Sequence, residues 1–488
     1  MRRPAMIVVA AGAMLVAGLA LALRSGRIPL GVPGEWEWQR VRPGPSAGPI
    51  AFALAGIAAY AGFAAAGFRA MAREGGRRRR SAWLAGLVVA AVAVQGVVQE
   101  GAPPGYGLSK WIFALHPSGS SGYYTVARWQ MGDARKFLAD YPTWIRKQDA
   151  LHVGTHPPGL FLTARALLVA MGANPRAARA VVDASPPSVI TAILALRDTD
   201  GLTRADAAAL SLTGALTLLA CASTVVPLYF LARSSLPPAS AWASAALWPL
   251  VPSAILFQPT ADTAFPLLAT SALALAVRAR RPPGGSGPVL AFGSGLVMAA
   301  GMVFTLAFLA VGLVAALILA TPPGPAPRRR AALIASTGAG FLAGALGWWA
   351  ATSSDPFATW WANQANHARF YAEYPRSYRA WIVANPVELA VAIGLPATAW
   401  ALAALGSPRR VPREAWATLL VLAALTLTGR SLSEVARLWL PLMPPLLVAS
   451  GAGFGKLGGG AWSLAITTAL MGAQALILEA TIQVVYPV

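Results

Sequence analysis

Apolar runs about long enough to cross a bilayer recur along this chain, parted by short polar breaks, and the pattern predicts helices throughout. The runs fall at about 6–23, 49–71, 82–98, 207–232, 239–257, 263–277, 288–303, 304–320, 331–350, 386–405, 415–427, 438–450 and 461–484, which gives about 13 spans. The stretch 159–172 is treated differently. It is short for a hydrocarbon core of ~30 Å and contains Arg165. Polar, proline-containing sequence follows it as far as Arg204, so it reads as a helix that dips into or lies along the interface. The expected fold is an all-α polytopic bundle with two extracytoplasmic loops bearing short amphipathic helices. Residues 1–98 form N-terminal transmembrane helices and 99–204 the large extracytoplasmic loop with interfacial helices. Then come a transmembrane core at 205–351, a second extracytoplasmic loop at 352–385, and C-terminal transmembrane helices at 386–488.

Composition agrees with a membrane setting, since 56% of the 488 residues are hydrophobic and 12% are charged. Charge then orients the spans. The net +21 comes from 39 Lys and Arg against 18 Asp and Glu, and the arginines cluster between apolar runs at Arg77–Arg80, Arg278–Arg281, Arg328–Arg330 and Arg409–Arg410. That is the positive-inside pattern rather than a nucleic-acid footprint, so no nucleic-acid partner is expected. Adding one crossing at 159–172 would invert every later loop; leaving it out keeps all these clusters on one side. The four histidines, His116, His152, His156 and His367, then lie on the outer side, as does the C-terminus. The first run sits behind Arg2-Arg3 and is long enough to span, so it reads as a signal anchor in a multi-pass plasma (inner) membrane protein. A single cysteine, Cys221, excludes an intrachain disulfide.

Polar chemistry concentrates in 99–159, which opens with Gln99-Glu100 after an apolar span and closes on Leu151-His152-Val153-Gly154-Thr155-His156-Pro157-Pro158. Gly101-Ala102-Pro103-Pro104-Gly105 cannot continue the helix, which would hold the Glu100 carboxylate at its end. A second carboxylate, Asp262, stands in a short outer turn between two spans. The second loop supplies Asn363, His367 and Arg369, and Glu434 with Arg437 stands at the mouth of a later span, where ionisable groups are paired or functional. His152 and His156 have metal-ligand spacing for a helix, but Gly154 and the two prolines argue against a helix there, and no metal ligands are assigned. Glu434 and Arg437, three apart, can pair with each other. Tyr123, Tyr124, Trp129, Tyr141 and Trp144 fit amphipathic helices lying on the membrane above a site.

The order of these elements, a long first outer loop with an acid just after its span, a closing His156-Pro157-Pro158, and an acid in the next short outer loop, resembles the GT-C superfamily of integral membrane glycosyltransferases. Protein O-mannosyltransferases and aminoarabinose transferases are examples. The resemblance covers about 82–350. It implies transfer of a hexosyl or pentosyl unit from a polyprenyl-phosphate-linked donor to a glycan, lipid or protein acceptor on the extracytoplasmic face, as in building cell-envelope glycan. Where that superfamily commonly has paired acids in the first loop, this chain has Gln99-Glu100. No cofactor is certain from these residues, and a divalent metal stays open.

The chemistry of such a transfer needs a base for the acceptor hydroxyl, cations or donors for the leaving phosphate, and support for an oxocarbenium-like centre. Glu100 is the expected base and Asp262 the orienting carboxylate, with Asp133, Asp140 and Asp149 as further choices. Arg128, Arg369, Arg376, Arg379 and Arg437, with His152, His156, Asn363, His367 and Glu434, are expected around a phosphate cavity between the two outer loops. A multi-pass transporter or flippase of a lipid-linked or polar substrate is the alternative; it would place ionisable groups at mid-depth in the spans. A noncatalytic scaffold is a third.

Overall fold

The computed structural model describes residues 2–27, 29–73, 76–281, 286–322, 326–406 and 411–483. Arg409, Arg410 and the end of the last predicted run at 484 lie outside them.

The chain folds as an all-α membrane protein. Among the described residues six helices are long and apolar enough to cross a bilayer: Arg3–Ser25, Ala47–Ala72, Arg77–Gln99, Arg204–Ala232, Pro327–Thr352 and Ala461–Thr481. A seventh crossing results if Tyr378–Ile393 and Leu395–Leu405, bent by 111°, count as one span. Helices of 10–17 residues account for much of the remaining apolar sequence, so among the described residues long helices stand beside shorter and broken ones, and about 13 spans are not shown. Run 239–257 is interrupted because Pro249 and Pro252 cannot donate backbone N–H groups; helix Pro238–Leu247 gives way to the 3-10 turn Trp248–Leu250 and then to Pro252–Leu256. Run 386–405 bends at Gly394, whose φ of 108° a side chain would resist. Its first arm starts at Tyr378, inside the predicted second loop, and most of the rest of that loop is helix Pro356–Glu373. Run 159–172 is one helix, Gly159–Ala173.

Helix Pro238–Leu247, buried from Ser240 to Leu247, and helix Met443–Leu457 form the centre of the core. Apolar lipid gives little drive for helices to associate, so packing and internal hydrogen bonds carry the load. Trp242 lies across helix Ala47–Ala72, donating from Nε1 to the Ala64 carbonyl at 2.8 Å, and a Cβ on Gly67 would stand 2.0 Å from its ring. Helices Ser286–Met302 and Pro327–Thr352 meet through Gly295 and Gly340, where an added Cβ would fall 2.0 Å from the opposing Thr337 and Phe292 carbonyl oxygens.

The bundle is polarised. At one end Arg281 donates to the Arg233 carbonyl at 3.2 Å, Arg329 to that of Arg281 at 2.9 Å and Arg330 to that of Ala320 at 2.9 Å. The other end gathers His152, His156 and the turns carrying Glu434 and Asp262. Positive-inside insertion would put the Arg281, Arg329 and Arg330 end in the cytoplasm. Reporter fusions after Arg80, Arg281, Arg330 and Arg410 should therefore read cytoplasmic, and fusions near Gly119 and Asn366 external. An external signal after Arg281 would show that Gly159–Ala173 completes a crossing.

Candidate functional site

A cavity of about 340 Å³ opens where the first loop, the Asp262 turn and the Arg437 turn meet. Asp262 lies in the 3-10 turn Ala261–Thr263, directly before helix Phe265–Ala279. Arg437 is carried by the single helical turn Val435–Leu438, and His152 begins another, His152–Thr155. These three side chains and Tyr123 form the polar end of the cavity. Its remaining wall is largely apolar, from Leu160, Ala164 and Leu167 on one helix, Leu210 and Leu216 on a second, and Leu268 on a third. Leu216, on the wall of this arm, is 47% exposed.

The polar end is held in place by the loops behind it. Ser433 and Glu434 adopt left-handed backbone with φ of 71° and 52°, a sharp reversal that non-glycine residues resist and neighbours must enforce. Arg376 donates to the Ser433 hydroxyl at 3.2 Å, Asn385 to the Ser431 carbonyl at 2.8 Å, and the Ala436 N–H to Glu388 at 3.0 Å. Out of this turn Arg437 gives Nη2–H to Glu434 at 2.8 Å and Nη1–H to His152 Nδ1 at 3.4 Å, while its buried Nε–H has no partner among the described residues. His152 therefore carries its own proton on Nε2. His156 Nδ1 turns back to the His152 carbonyl at 2.9 Å, so it carries its proton there.

Electrostatics follow from burial and this one arginine. Burial raises the Asp262 carboxyl above its ordinary range, and the Arg437 charge opposes the rise. Burial, then Arg437 and His156, pushes His152 down to about 3, and burial likewise pushes His156 to about 4, so both rings are neutral at physiological pH. Arg437 is held above its ordinary value: burial works against the charge, and the Glu434 and Asp262 carboxylates outweigh it.

Several expected site residues lie elsewhere. Glu100 is not among the cavity-lining residues; its carboxylate accepts from the Ser188 hydroxyl at 2.5 Å on helix Pro187–Asp200. Arg128 pairs with Asp206 at 2.8 Å and covers the Trp129 ring. Arg369 pairs with Glu373 at 2.9 Å and donates to the Gln148 carbonyl. The fully buried Asn363 donates to the Gly154 and His156 carbonyls, both at 3.1 Å, and Asn366 donates to that of Gly154 at 2.8 Å; this pair braces the histidine loop from behind. His367 is packed against the same loop, and burial, with His156 nearby, lowers it to about 4. The cavity accordingly lies beside the first loop rather than between the two loops. Residues 152–155 do form a helical turn, against expectation, with Gly154 placed where a Cβ would strike the Asp149 carbonyl at 1.8 Å. The aromatic residues of the first loop mostly turn inward: Tyr141 is fully buried against Phe137, Trp144 and Phe161, and Trp129 alone of the five stays strongly exposed. Among the described residues no three His, Cys, Asp or Glu side chains converge as a metal site, and the cavity draws its positive charge from Arg437. Tyr123 and Tyr124 both line the cavity although sequence reasoning placed them on the membrane surface; nothing in their local pattern separates them from Tyr141.

No protein-family model matches the chain, and no curated protein matches it. Among solved structures, the crystal structure of the Archaeoglobus fulgidus oligosaccharyltransferase in complex with zinc and sulfate is similar over 79% of this chain and 53% of its own, with 13% identity and a TM-score of 0.36. The chain thus corresponds to about half the length of that protein, and a likeness of this size does not establish a shared activity.

Proposed function

We propose that this protein is a membrane glycosyltransferase of GT-C type that moves a sugar from a polyprenyl-phosphate-linked donor to a hydroxyl on a glycan, lipid or protein acceptor, at the extracytoplasmic face of the plasma (inner) membrane. The observation that carries the reading is the cavity itself: a charged end holding Asp262 and Arg437 runs into a largely apolar arm whose Leu216 is exposed. A polyprenyl chain matches the arm, and its phosphate matches an arginine whose Nε–H has no partner among the described residues. Asp262 accepts the acceptor's proton, the freed oxygen attacks the anomeric carbon, and the carbon–oxygen bond to phosphate breaks with the electron pair leaving on the carrier phosphate. Glu434 holds Arg437, and His152 adds a neutral Nε2–H donor. A transporter needs polar groups along its path at mid-depth, whereas the charged groups of this cavity gather at one end.

A comparison of envelope glycans from wild-type and deletion strains tests the reading. One class of glycosylated product should disappear in the deletion and return with the wild-type gene but not with an Asp262→Asn copy. An unchanged glycan profile in the deletion strain would overturn the proposal.

A further inference from the structure

From the geometry of the polar end we propose that Tyr123 is a further catalytic residue, a neutral hydrogen-bond donor to the phosphate oxygens of the lipid-linked donor. The inference rests on the glycosyltransferase reading and extends it to a side chain that reading does not use. Tyr123 opens helix Tyr123–Trp129 directly after Gly122, whose φ of 72° turns the chain there and whose missing Cβ makes room for Val153. The ring is fixed from two sides, edge-on to His156 at 5.4 Å and to Phe161 at 5.3 Å between centroids. It lines the same cavity as Asp262 and Arg437, and among the described residues its hydroxyl has no hydrogen-bond partner. Its neighbour differs on this point, because the Tyr124 phenol already faces the Arg128–Asp206 pair.

A half-buried phenol fixed at the wall of a cavity can donate its O–H to whatever binds there. The charge balance says what that is. Arg437 is already shared between Glu434 and Asp262, so the cavity has little positive charge to spare for a phosphate that gains charge as the glycosidic bond breaks. A neutral O–H adds stabilisation there without adding a cation. Burial, with the Asp262 charge nearby, holds the phenol well above its ordinary value, so it stays protonated and serves as a donor.

Tyr123→Phe removes the hydroxyl alone and keeps the ring contacts. The test measures protection of the purified full-length protein in detergent against thermal unfolding by farnesyl monophosphate, with farnesol as the uncharged control, in the wild type, Tyr123→Phe and Arg437→Ala. Farnesyl phosphate should bind the wild type more tightly than farnesol, and Tyr123→Phe should weaken the phosphate ligand about tenfold, the expected loss for one hydrogen bond to a charged group, while farnesol binding and ligand-free stability hold. Phosphate binding by Tyr123→Phe within about twofold of the wild type, with Arg437→Ala defective, would overturn the role of Tyr123 and leave the glycosyltransferase reading standing. A large drop in ligand-free stability would show the hydroxyl to be structural, which also overturns it. Failure of the wild type to prefer the phosphate would remove both.

Discussion

Asp262→Asn should lower turnover by roughly two to four orders of magnitude, the range for loss of a general base, while the protein folds and binds its lipid donor nearly as before. Asparagine keeps the shape and one acceptor oxygen but cannot take up a proton. Glu100→Gln should leave turnover within about threefold, because Glu100 stands outside the cavity and its carboxylate is committed to Ser188. The pH profile supplies a second readout. Burial raises Asp262, and only its ionised form is a base, so activity should fall on the acid side from above the ordinary carboxylate range. Removing the Arg437 charge should move that fall to still higher pH, since Arg437 favours the ionised form. An inactive Glu100→Gln enzyme beside an active Asp262→Asn enzyme would return the base to the first loop.

The hydrophobic pattern revealed the long helices because lipid exposure demands unbroken apolar faces. Runs 49–71 and 331–350 appear as Ala47–Ala72 and Pro327–Thr352, extended by polar ends that hydropathy cannot delimit. Arg77–Arg80 is an instance: the cluster marks a membrane face and is also the first turn of helix Arg77–Gln99. Interior segments were less legible. A proline within a buried run breaks hydrogen bonds that packing must then replace, and periodicity does not show whether the chain bends, as at Gly394, or divides, as at Pro249 and Pro252. At the site, residue types pointed to carboxylates and arginines, but not to which of them share a cavity. Glu100 and Asp262 look alike in sequence, each an acid beside an apolar run; only helix packing brings Asp262 and Arg437 to one cavity and turns Glu100 toward Ser188. Asn363, expected around a phosphate cavity, holds the backbone of the histidine loop instead.

Arg437→Ala should weaken binding of a lipid phosphate by roughly thirtyfold or more, since truncating one partner of a desolvated charge-paired contact costs about 2–5 kcal/mol or more. Much of that loss would come from what remains: Glu434 and Asp262 would face an incoming anion without a compensating cation. The double variant Arg437→Ala with Glu434→Gln separates the two contributions. If repulsion by the abandoned Glu434 dominates, the double variant should recover part of the binding; if direct contact with the phosphate dominates, it should bind as poorly as the single variant. Arg437→Lys restores a charge but not the planar fork that holds Glu434 and His152 together, so it should regain only part of the affinity. The turn that carries Arg437 makes a second demand, because Ser433 and Glu434 are left-handed and the segment before them is held by Tyr371 and Asn385 at Leu432 and Ser431 and by Arg376 at Ser433. Ser433→Gly accepts that backbone without strain but loses the hydroxyl to which Arg376 donates, so its effect should appear in the affinity for the phosphate rather than for farnesol. Equal binding of farnesyl phosphate and farnesol by the wild type, or an Arg437→Ala protein that still discriminates between them, would remove the phosphate from this end of the cavity.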